Sequence, residues 1–129
     1  MAGSGLARDQ HGRLRVLTAI GHPLLRAAVR EMLGRSPGVD LIGEAEDGLR
    51  TLEMAATEKP DVLILDVSLP LRNGLEAASD LRKALPGSKI IVLVDVEDSR
   101  YTQAAAQSGA YCVAKTSLSK DLQRALRGD

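Results

Sequence analysis

The sequence predicts an α/β fold in which one parallel sheet of five strands is covered by helices on both faces. Short β-branched runs alternate along the chain with longer segments of helical period. These runs are apolar throughout, which is typical of parallel strands buried on both faces. Gly or Pro separates many of the segments, and a length of 129 residues suits a single domain with one core.

Five segments have the character of strands, and the third is the most apolar. They are residues 14–20, 39–45, 62–65, 89–94 and 111–114. Right-handed crossovers between parallel strands then give a doubly wound, flavodoxin-like (βα)5 sheet, most simply in the order 2-1-3-4-5.

Each strand is followed by a segment with helical spacing. The predicted helices begin at Pro23 and run to the break at Gly34, then cover residues 48–58, about 75–85, 99–108 and 118–127. We expect the first four helices to pack on the sheet through the following residues: Leu25, Ala28, Val29 and Met32; Leu49, Leu52 and Ala56; Leu75, Ala78, Leu81 and Leu85; Tyr101, Ala104 and Ala105.

Composition excludes several classes of function for this domain. Lys plus Arg and Asp plus Glu each number 17, so no excess charge points to direct binding of nucleic acid or of an anionic membrane. Phe and Trp are absent and there are only two Tyr, which leaves few platforms for base stacking. The apolar runs are too short to span a bilayer, so no membrane segment is expected.

The ends of the chain and its cysteine content indicate a cytoplasmic protein. Residues 1–12 lack the apolar core of a signal peptide, so we expect a flexible tail there and one domain over residues 13–129. The single cysteine, Cys112, cannot form an internal disulfide, which fits a reducing compartment. Its apolar neighbours predict a small buried hydrophobe.

The carboxyl ends of the strands are the expected place for a functional site in a sheet of this kind. They bring residues 20–22, 66–68 and 94–95 and Lys115 to one edge. Asp66 follows a buried strand directly, where a carboxylate can accept a phosphoryl group or simply bond to loop amides. Lys115 can pair with Asp66 or with a phosphoryl oxygen, or remain solvated; we favour the pair.

Several motifs, in the correct order, resemble NarL/FixJ-type receivers of bacterial two-component signalling. They are LRVL at 14–17 leading to HPLLR at 22–26, GEAEDG at 43–48, PDVLILDVSLP at 60–70, NGLEA at 73–77, and GA at 109–110 before Lys115. The resemblance covers about residues 14–126. It implies that Asp66 is the phospho-acceptor, that Lys115 is the lysine of the phosphate site, and that Ser68 supplies a metal ligand through its backbone carbonyl.

The departures from that pattern concern the metal and the switch. Receivers of this kind place two adjacent acids before the His-Pro pair to hold Mg²⁺, and here those positions are Ile20 and Gly21. The hydroxyl residue expected at the end of the fourth strand is Val94. The usual aromatic position before the lysine falls on Cys112, with Tyr111 one place earlier. We therefore expect no resident cofactor and at most weak binding of Mg²⁺.

The function expected from these residues is an atypical, phosphorylation-independent signalling module of a transcriptional regulator, and not an enzyme. The alternative is a conventional receiver that is phosphorylated on Asp66. The expected partner is a sensor histidine kinase or another signalling protein. A homodimer or output-domain contact is expected through helix 99–108, the fifth strand and the last helix, with Tyr101 and Tyr111 as anchors. DNA would be contacted only by a further C-terminal helix-turn-helix domain.

Two other classes fit the residues less well. An aspartyl-nucleophile phosphatase usually has a second acid two residues beyond the nucleophile, where this chain has Ser68. A flavodoxin-like cofactor site needs free backbone amides after the first strand, and Pro23 removes one of them. His22, beside that proline, is interpreted as a loop or cap histidine.

Overall fold

A computed structural model of the chain describes residues 12–95, 103–104, 106–107 and 109–127. Predictions that concern residues 1–11, Tyr101 and Ala105 lie outside this part of the chain. Within the segment 99–108, the four described residues are helical, in agreement with the helix predicted there.

The sheet has five parallel strands in the predicted order. The strands are β1 Leu14–Ala19, β2 Val39–Ala45, β3 Val62–Asp66, β4 Lys89–Val94 and β5 Tyr111–Ala114. They are arranged β2-β1-β3-β4-β5, so the expected flavodoxin-like topology is confirmed. The first strand ends one residue earlier than predicted, and the third ends on Asp66 itself.

Helices follow the strands at the predicted places. They are α1 Pro23–Gly34, α2 Gly48–Glu58, α3 Gly74–Ala84 and the C-terminal helix Leu118–Arg127, which a short 3-10 turn over Lys115–Ser117 precedes. The first three begin after residues whose side chains accept a backbone N–H bond, namely His22, Asp47 and Asn73. In the described part of the chain, no helix has the length and apolar character needed to cross a membrane.

The sheet separates two apolar layers. On one face, α2 and α3 pack over side chains such as Leu17, Leu63 and Val92. On the other face, α1 and the C-terminal helix pack over side chains such as Val16 and Ile64. Burial of both faces explains why the central strands β3 and β4 are apolar apart from one terminal residue each, Asp66 and Lys89.

The inward face of α2 differs from the prediction. Leu49 and Ala56 were expected to face the sheet, but both are exposed. The buried residues are Gly48, Thr51 and Ala55. The reason lies outside the helix: a Cβ at Gly48 would come within 1.9 Å of the carbonyl oxygen of Arg72, so this glycine permits a close approach between α2 and the loop before α3.

The inward face of α1 also differs, by one residue. Ala28 was expected to be buried but is exposed, while Leu33, which was not predicted, is buried together with Val29. Leu25 and Met32 are partly buried, as expected. The face that packs on the sheet therefore follows the larger side chains, since burying them removes more apolar area from water.

Lys89, the first residue of β4, links the sheet to the C-terminal helix, and the sequence analysis did not predict this contact. Its side chain is buried, and its Nζ donates a hydrogen bond to the carbonyl oxygen of Ala125 in the last turn of that helix. The same nitrogen lies 4.6 Å from the centre of the Tyr111 ring. A cation at the C-terminal end of a helix is favourable because unpaired carbonyl oxygens gather there.

Thr18, on β1, generates a prediction about stability. It is 1% exposed, and its hydroxyl has no hydrogen-bond partner among the described residues. Because an unsatisfied buried hydroxyl is costly, Thr18→Val is expected to raise the free energy of unfolding by about 1 kcal/mol, measured by urea denaturation.

Thr51→Val is the matched control. Thr51 is equally buried, but its Oγ1 donates to the carbonyl oxygen of Asp47 at 2.7 Å. The same substitution there is expected to lower the free energy of unfolding by about 1 kcal/mol. A loss of stability in both variants would contradict the assignment of an unsatisfied hydroxyl to Thr18.

Candidate functional site

Three charged residues meet where neighbouring strands end. Asp66 is the last residue of β3, Asp95 is the first residue after β4, and Lys115 is the first residue after β5. Because the strands are parallel and adjacent, these ends lie at one edge of the sheet. We call Asp66, Asp95 and Lys115 together the acid–lysine cluster.

Asp66 is the buried member of the cluster. Its side chain is 4% exposed, and its Oδ1 lies 2.8 Å from the Nζ of Lys115. The same oxygen accepts a hydrogen bond from the backbone N–H of Ser68 at 2.9 Å. The structure therefore brings Asp66 and Lys115 together in the pair that the sequence favoured. The same carboxylate also accepts a hydrogen bond from a loop amide, which was the alternative role predicted for Asp66.

Lys115 has a second carboxylate partner. Its Nζ lies 2.7 Å from the Oδ1 of Asp95. Partial burial by itself would lower the pKa of Lys115, but hydrogen bonds to Asp66 and Asp95, together with the charges of both acids, leave the pKa raised above its usual value. The lysine is therefore held in its charged form.

The contact of Asp95 was missed at the sequence level. No motif places an acid at this position, so the sequence predicts only that residues 94–95 reach this edge of the sheet. The available signal was its position directly after a buried strand whose neighbour ends just before Lys115. Two residues that follow paired strand ends lie side by side, so an acid and a lysine there are expected to meet.

The positions that correspond to the usual acid pair offer no oxygen ligands from side chains. Ile20 is fully buried in the layer under α1, beside Val16 and Ile64. Gly21 has no side chain, and a Cβ added to it would lie 3.3 Å from the carbonyl oxygen of Glu46. Within the ranges that the structure describes, no group of three or more His, Cys, Asp or Glu residues is arranged to hold a metal ion.

Of the remaining predicted site residues, Ser68 contacts the acid–lysine cluster through its backbone amide. Val94 is buried in the layer under α2 and α3, and Cys112 is partly buried against the same layer. Tyr111 is 47% exposed on the edge strand β5. His22 caps α1, its Nδ1 accepting from the N–H of Leu25 at 3.4 Å, so its interpretation as a cap histidine is confirmed.

The loop between β3 and α3, which follows Asp66, is fixed by hydrogen bonds at its C-terminal end. Asn73 and Glu76 form a reciprocal capping box at the start of α3. Arg72 donates to the Oδ2 of Asp80 at 2.7 Å, and this hydrogen bond keeps the pKa of Asp80 below its usual value. Gly74 donates its N–H to the carbonyl oxygen of Val67 at 3.2 Å. These bonds fix the backbone that presents Asp66.

Exposed leucines surround the same edge of the sheet. Leu24 lies in the first turn of α1, Leu49 in the first turn of α2, and Leu71 in the loop between β3 and α3. Leu71 has a positive φ of 69°, which is uncommon for a residue with a branched side chain. We call these residues the leucine rim.

Comparison with known proteins agrees with this fold. The family described as "Response regulator receiver domain" matches residues 16–127. The chain therefore belongs to the response regulator receiver domain family. It is a receiver domain of a two-component response regulator of the NarL/LuxR type, as its relatives indicate.

Two relatives illustrate the similarity in sequence. The uncharacterized transcriptional regulatory protein YxjL of Bacillus subtilis is 34% identical over 116 residues, which cover 89% of this chain and 53% of the relative. The nitrate/nitrite response regulator protein NarL of Escherichia coli is 30% identical over 112 residues, which cover 86% of this chain and 52% of the relative. The chain thus spans about half the length of these relatives.

Two solved structures illustrate the similarity in fold. The signal receiver domain of NarL from Mycobacterium tuberculosis has a TM-score of 0.79 at 29% identity, covering 91% of this chain and 98% of that one. The isolated REC domain of RcsB from Salmonella enterica serovar Typhimurium, solved with the phosphomimetic BeF3−, has a TM-score of 0.82 at 25% identity. It covers 89% of this chain and 86% of that one.

Gly74 provides a test of how the Asp66 loop is built. A Cβ at Gly74 would lie 2.4 Å from the carbonyl oxygen of Asp66. Gly74→Ala is therefore expected to lower the free energy of unfolding by about 2 kcal/mol and to shift the amide NMR signals of residues 66–68.

Gly34→Ala is its control. Gly34 is also helical, at the end of α1, and a Cβ there would meet nothing within 4 Å. This variant is expected to gain up to about 1 kcal/mol from helix propensity, with the signals of residues 66–68 unchanged. Equal stability effects in the two variants would show that Gly74 is not a close-packed position.

Proposed function

We propose that this receiver domain signals through protein contacts without depending on magnesium-supported phosphorylation of Asp66, and that it is not an enzyme. The observation that carries the proposal is the state of the acid–lysine cluster. The lysine that would meet an incoming phosphate already lies within hydrogen-bond distance of two carboxylates. At the same time, Ile20 and Gly21 have no side-chain oxygen with which to hold a metal ion.

The chemistry of phosphoryl transfer explains why these two features matter. Transfer to a carboxylate brings negatively charged groups together, so catalysis depends on positioning and on neutralisation of charge. Magnesium prefers octahedral coordination by oxygen, commonly including one or two carboxylates. Asp66 is the one acid left at the family's metal positions, and its Oδ1 already contacts Lys115 and the Ser68 amide. We infer that these residues do not fit a tightly held magnesium ion.

The conformational response to phosphorylation would also lack the hydroxyl group that usually mediates it, because that position is Val94. In receivers of this type, a hydroxyl at the end of the fourth strand hydrogen-bonds to the phosphoryl oxygen and draws the adjoining loop inward. Valine has a similar shape but has no proton to donate. Val94 is 1% exposed and packs among apolar side chains. Phosphorylation of Asp66 would therefore be poorly coupled to distant surfaces.

Protein contact remains as the means of signalling. The leucine rim offers apolar surface to a sensor histidine kinase or to another signalling protein. Tyr111 borders a shallow groove of about 220 Å³ between β5 and the C-terminal helix, which would serve a homodimer or an output domain. The chain spans about half the length of the regulators that it resembles. We infer that transcription is regulated through a further domain that contacts DNA, in the cytoplasm.

The alternative is a conventional receiver that is phosphorylated on Asp66. In its favour, the carboxylate and the lysine are both present and in contact. Under this alternative, the incoming phosphate itself would help to recruit a magnesium ion. A conventional receiver would form phosphorylated protein readily when a phosphoryl donor and Mg²⁺ are present, whereas the proposed phosphorylation-independent domain would form little.

Phosphorylation by a small donor tests the proposal. The chain is incubated with Mg²⁺ and acetyl phosphate, and phosphoryl incorporation is followed by intact mass, with Asp66→Asn as the blank. We expect wild-type protein to be modified no faster than this blank, because no tightly held metal ion neutralises the charge that gathers between the donor and Asp66. Rapid modification of wild-type protein that is absent from Asp66→Asn would establish the conventional receiver instead.

A matched pair of variants at Gly21 tests whether the missing acids are the cause of slow phosphorylation. Gly21→Asp returns one carboxylate to the edge, whereas Gly21→Asn adds a side chain of the same shape without charge. We expect Mg²⁺-dependent modification to appear in Gly21→Asp and not in Gly21→Asn, since only the acid is a good magnesium ligand. If both variants behave alike while remaining folded, the missing acids are not the cause.

A further inference from the structure

We propose that Asp95 is a positioning residue that occupies Lys115 as an internal anion and thereby excludes an external oxyanion from this lysine. The proposal deepens the proposed function and rests on it, because it names the group that takes the place of phosphate in the resting state. It assigns a role to an acid that the family's motif does not include.

The order of burial places Asp95 between the lysine and solvent. The Asp66 side chain is 4% exposed, the Lys115 side chain 19% and the Asp95 side chain 63%. The ammonium group therefore contacts a buried carboxylate on its inner side and a solvated carboxylate on its outer side. An anion that approaches Lys115 from solvent has to displace Asp95 or share the ammonium with it.

The charge of the cluster opposes such an anion. Two carboxylates and one ammonium leave a net negative charge, whereas Asp66 and Lys115 alone would be neutral. The two carboxylate oxygens lie 2.8 and 2.7 Å from the same nitrogen, so an oxyanion bound there would be close to both. Like charges at such distances repel, and the partial burial of the site reduces screening by water.

The hydrogen-bonding capacity of the lysine is also largely used. An ammonium group has three donors, and here two of its contacts are to carboxylates. A tetrahedral oxyanion needs several donors in place of those it had in water. Removing Asp95 would return one of them without disturbing the buried pair.

The position of Asp95 is set by strand pairing. β4 and β5 pair from Ile91 with Tyr111 to Val94 with Ala114, and the next residue of each strand is Asp95 and Lys115. The backbone of Asp95 is thus placed beside that of Lys115 by the register of β4 with the edge strand β5. A carboxylate at position 95 is consequently within reach of the lysine before any external anion arrives.

Sulfate, used as a probe without Mg²⁺ or any phosphoryl donor, tests this role by NMR. The side-chain ammonium and Cε–Hε signals of Lys115 are followed during titration of wild-type protein, Asp95→Asn, Asp95→Ser and Asp95→Glu. Asp40→Asn is the matched control, because it removes the same charge from β2, at the far side of the sheet from β5.

We expect Asp95→Asn and Asp95→Ser to bind sulfate at Lys115 about tenfold more tightly than wild-type protein, since one nearby charge changes an ionic equilibrium by about that factor or more. Asp95→Glu, which keeps the carboxylate, and Asp40→Asn are expected to behave as wild type. In the absence of sulfate, the Lys115 signals should shift in Asp95→Asn and not in Asp40→Asn.

Two results would overturn the proposal. One is equal sulfate affinity, including no binding, in wild-type protein and in folded Asp95→Asn and Asp95→Ser. The other is tighter binding in Asp40→Asn as well, which would show an effect of overall charge. Because the experiment contains no magnesium and no phosphoryl donor, its outcome is independent of whether Asp66 can be phosphorylated.

Discussion

The ion pair between Asp66 and Lys115 is the interaction on which the rest of the site depends. Asp66 ends the central strand of the sheet and is almost completely removed from water. A buried carboxylate without a partner is strongly destabilising, so the fold has to supply a counter-charge. Lys115 supplies it from the end of β5, and the Ser68 amide adds a second donor to the same oxygen.

The same requirement explains what kind of receiver this chain can be. Where a receiver of the usual pattern collects several acids and a metal ion, this chain pairs its buried Asp66 with its own lysine. We propose that the buried carboxylate is then satisfied in a single conformation, without an external ion. A domain in such a state would present a constant surface to partners, and among the described residues the leucine rim and Tyr111 are large apolar side chains exposed on it.

The sequence predicted the strands well and the helix faces less well, for physical reasons. Strand order follows from apolar runs and from the handedness of crossovers, which are properties of the chain itself. The rotation of α2 depends instead on the contact of Gly48 with the backbone of Arg72, which lies in another loop. Asp66 and Lys115 could be placed together from their strand ends and from the receiver motif, whereas Asp95, which also follows a strand end, lies at a position that no motif marks.

A double-mutant cycle of unfolding free energies tests the central ion pair most directly. Lys115→Met leaves the buried Asp66 unpaired, and it is expected to lower the free energy of unfolding by about 3 kcal/mol. In the Asp66→Asn background, the same change should cost far less, giving a coupling energy of about 2–3 kcal/mol. Equal costs of Lys115→Met in both backgrounds would contradict the account, because the buried carboxylate would then not depend on its lysine.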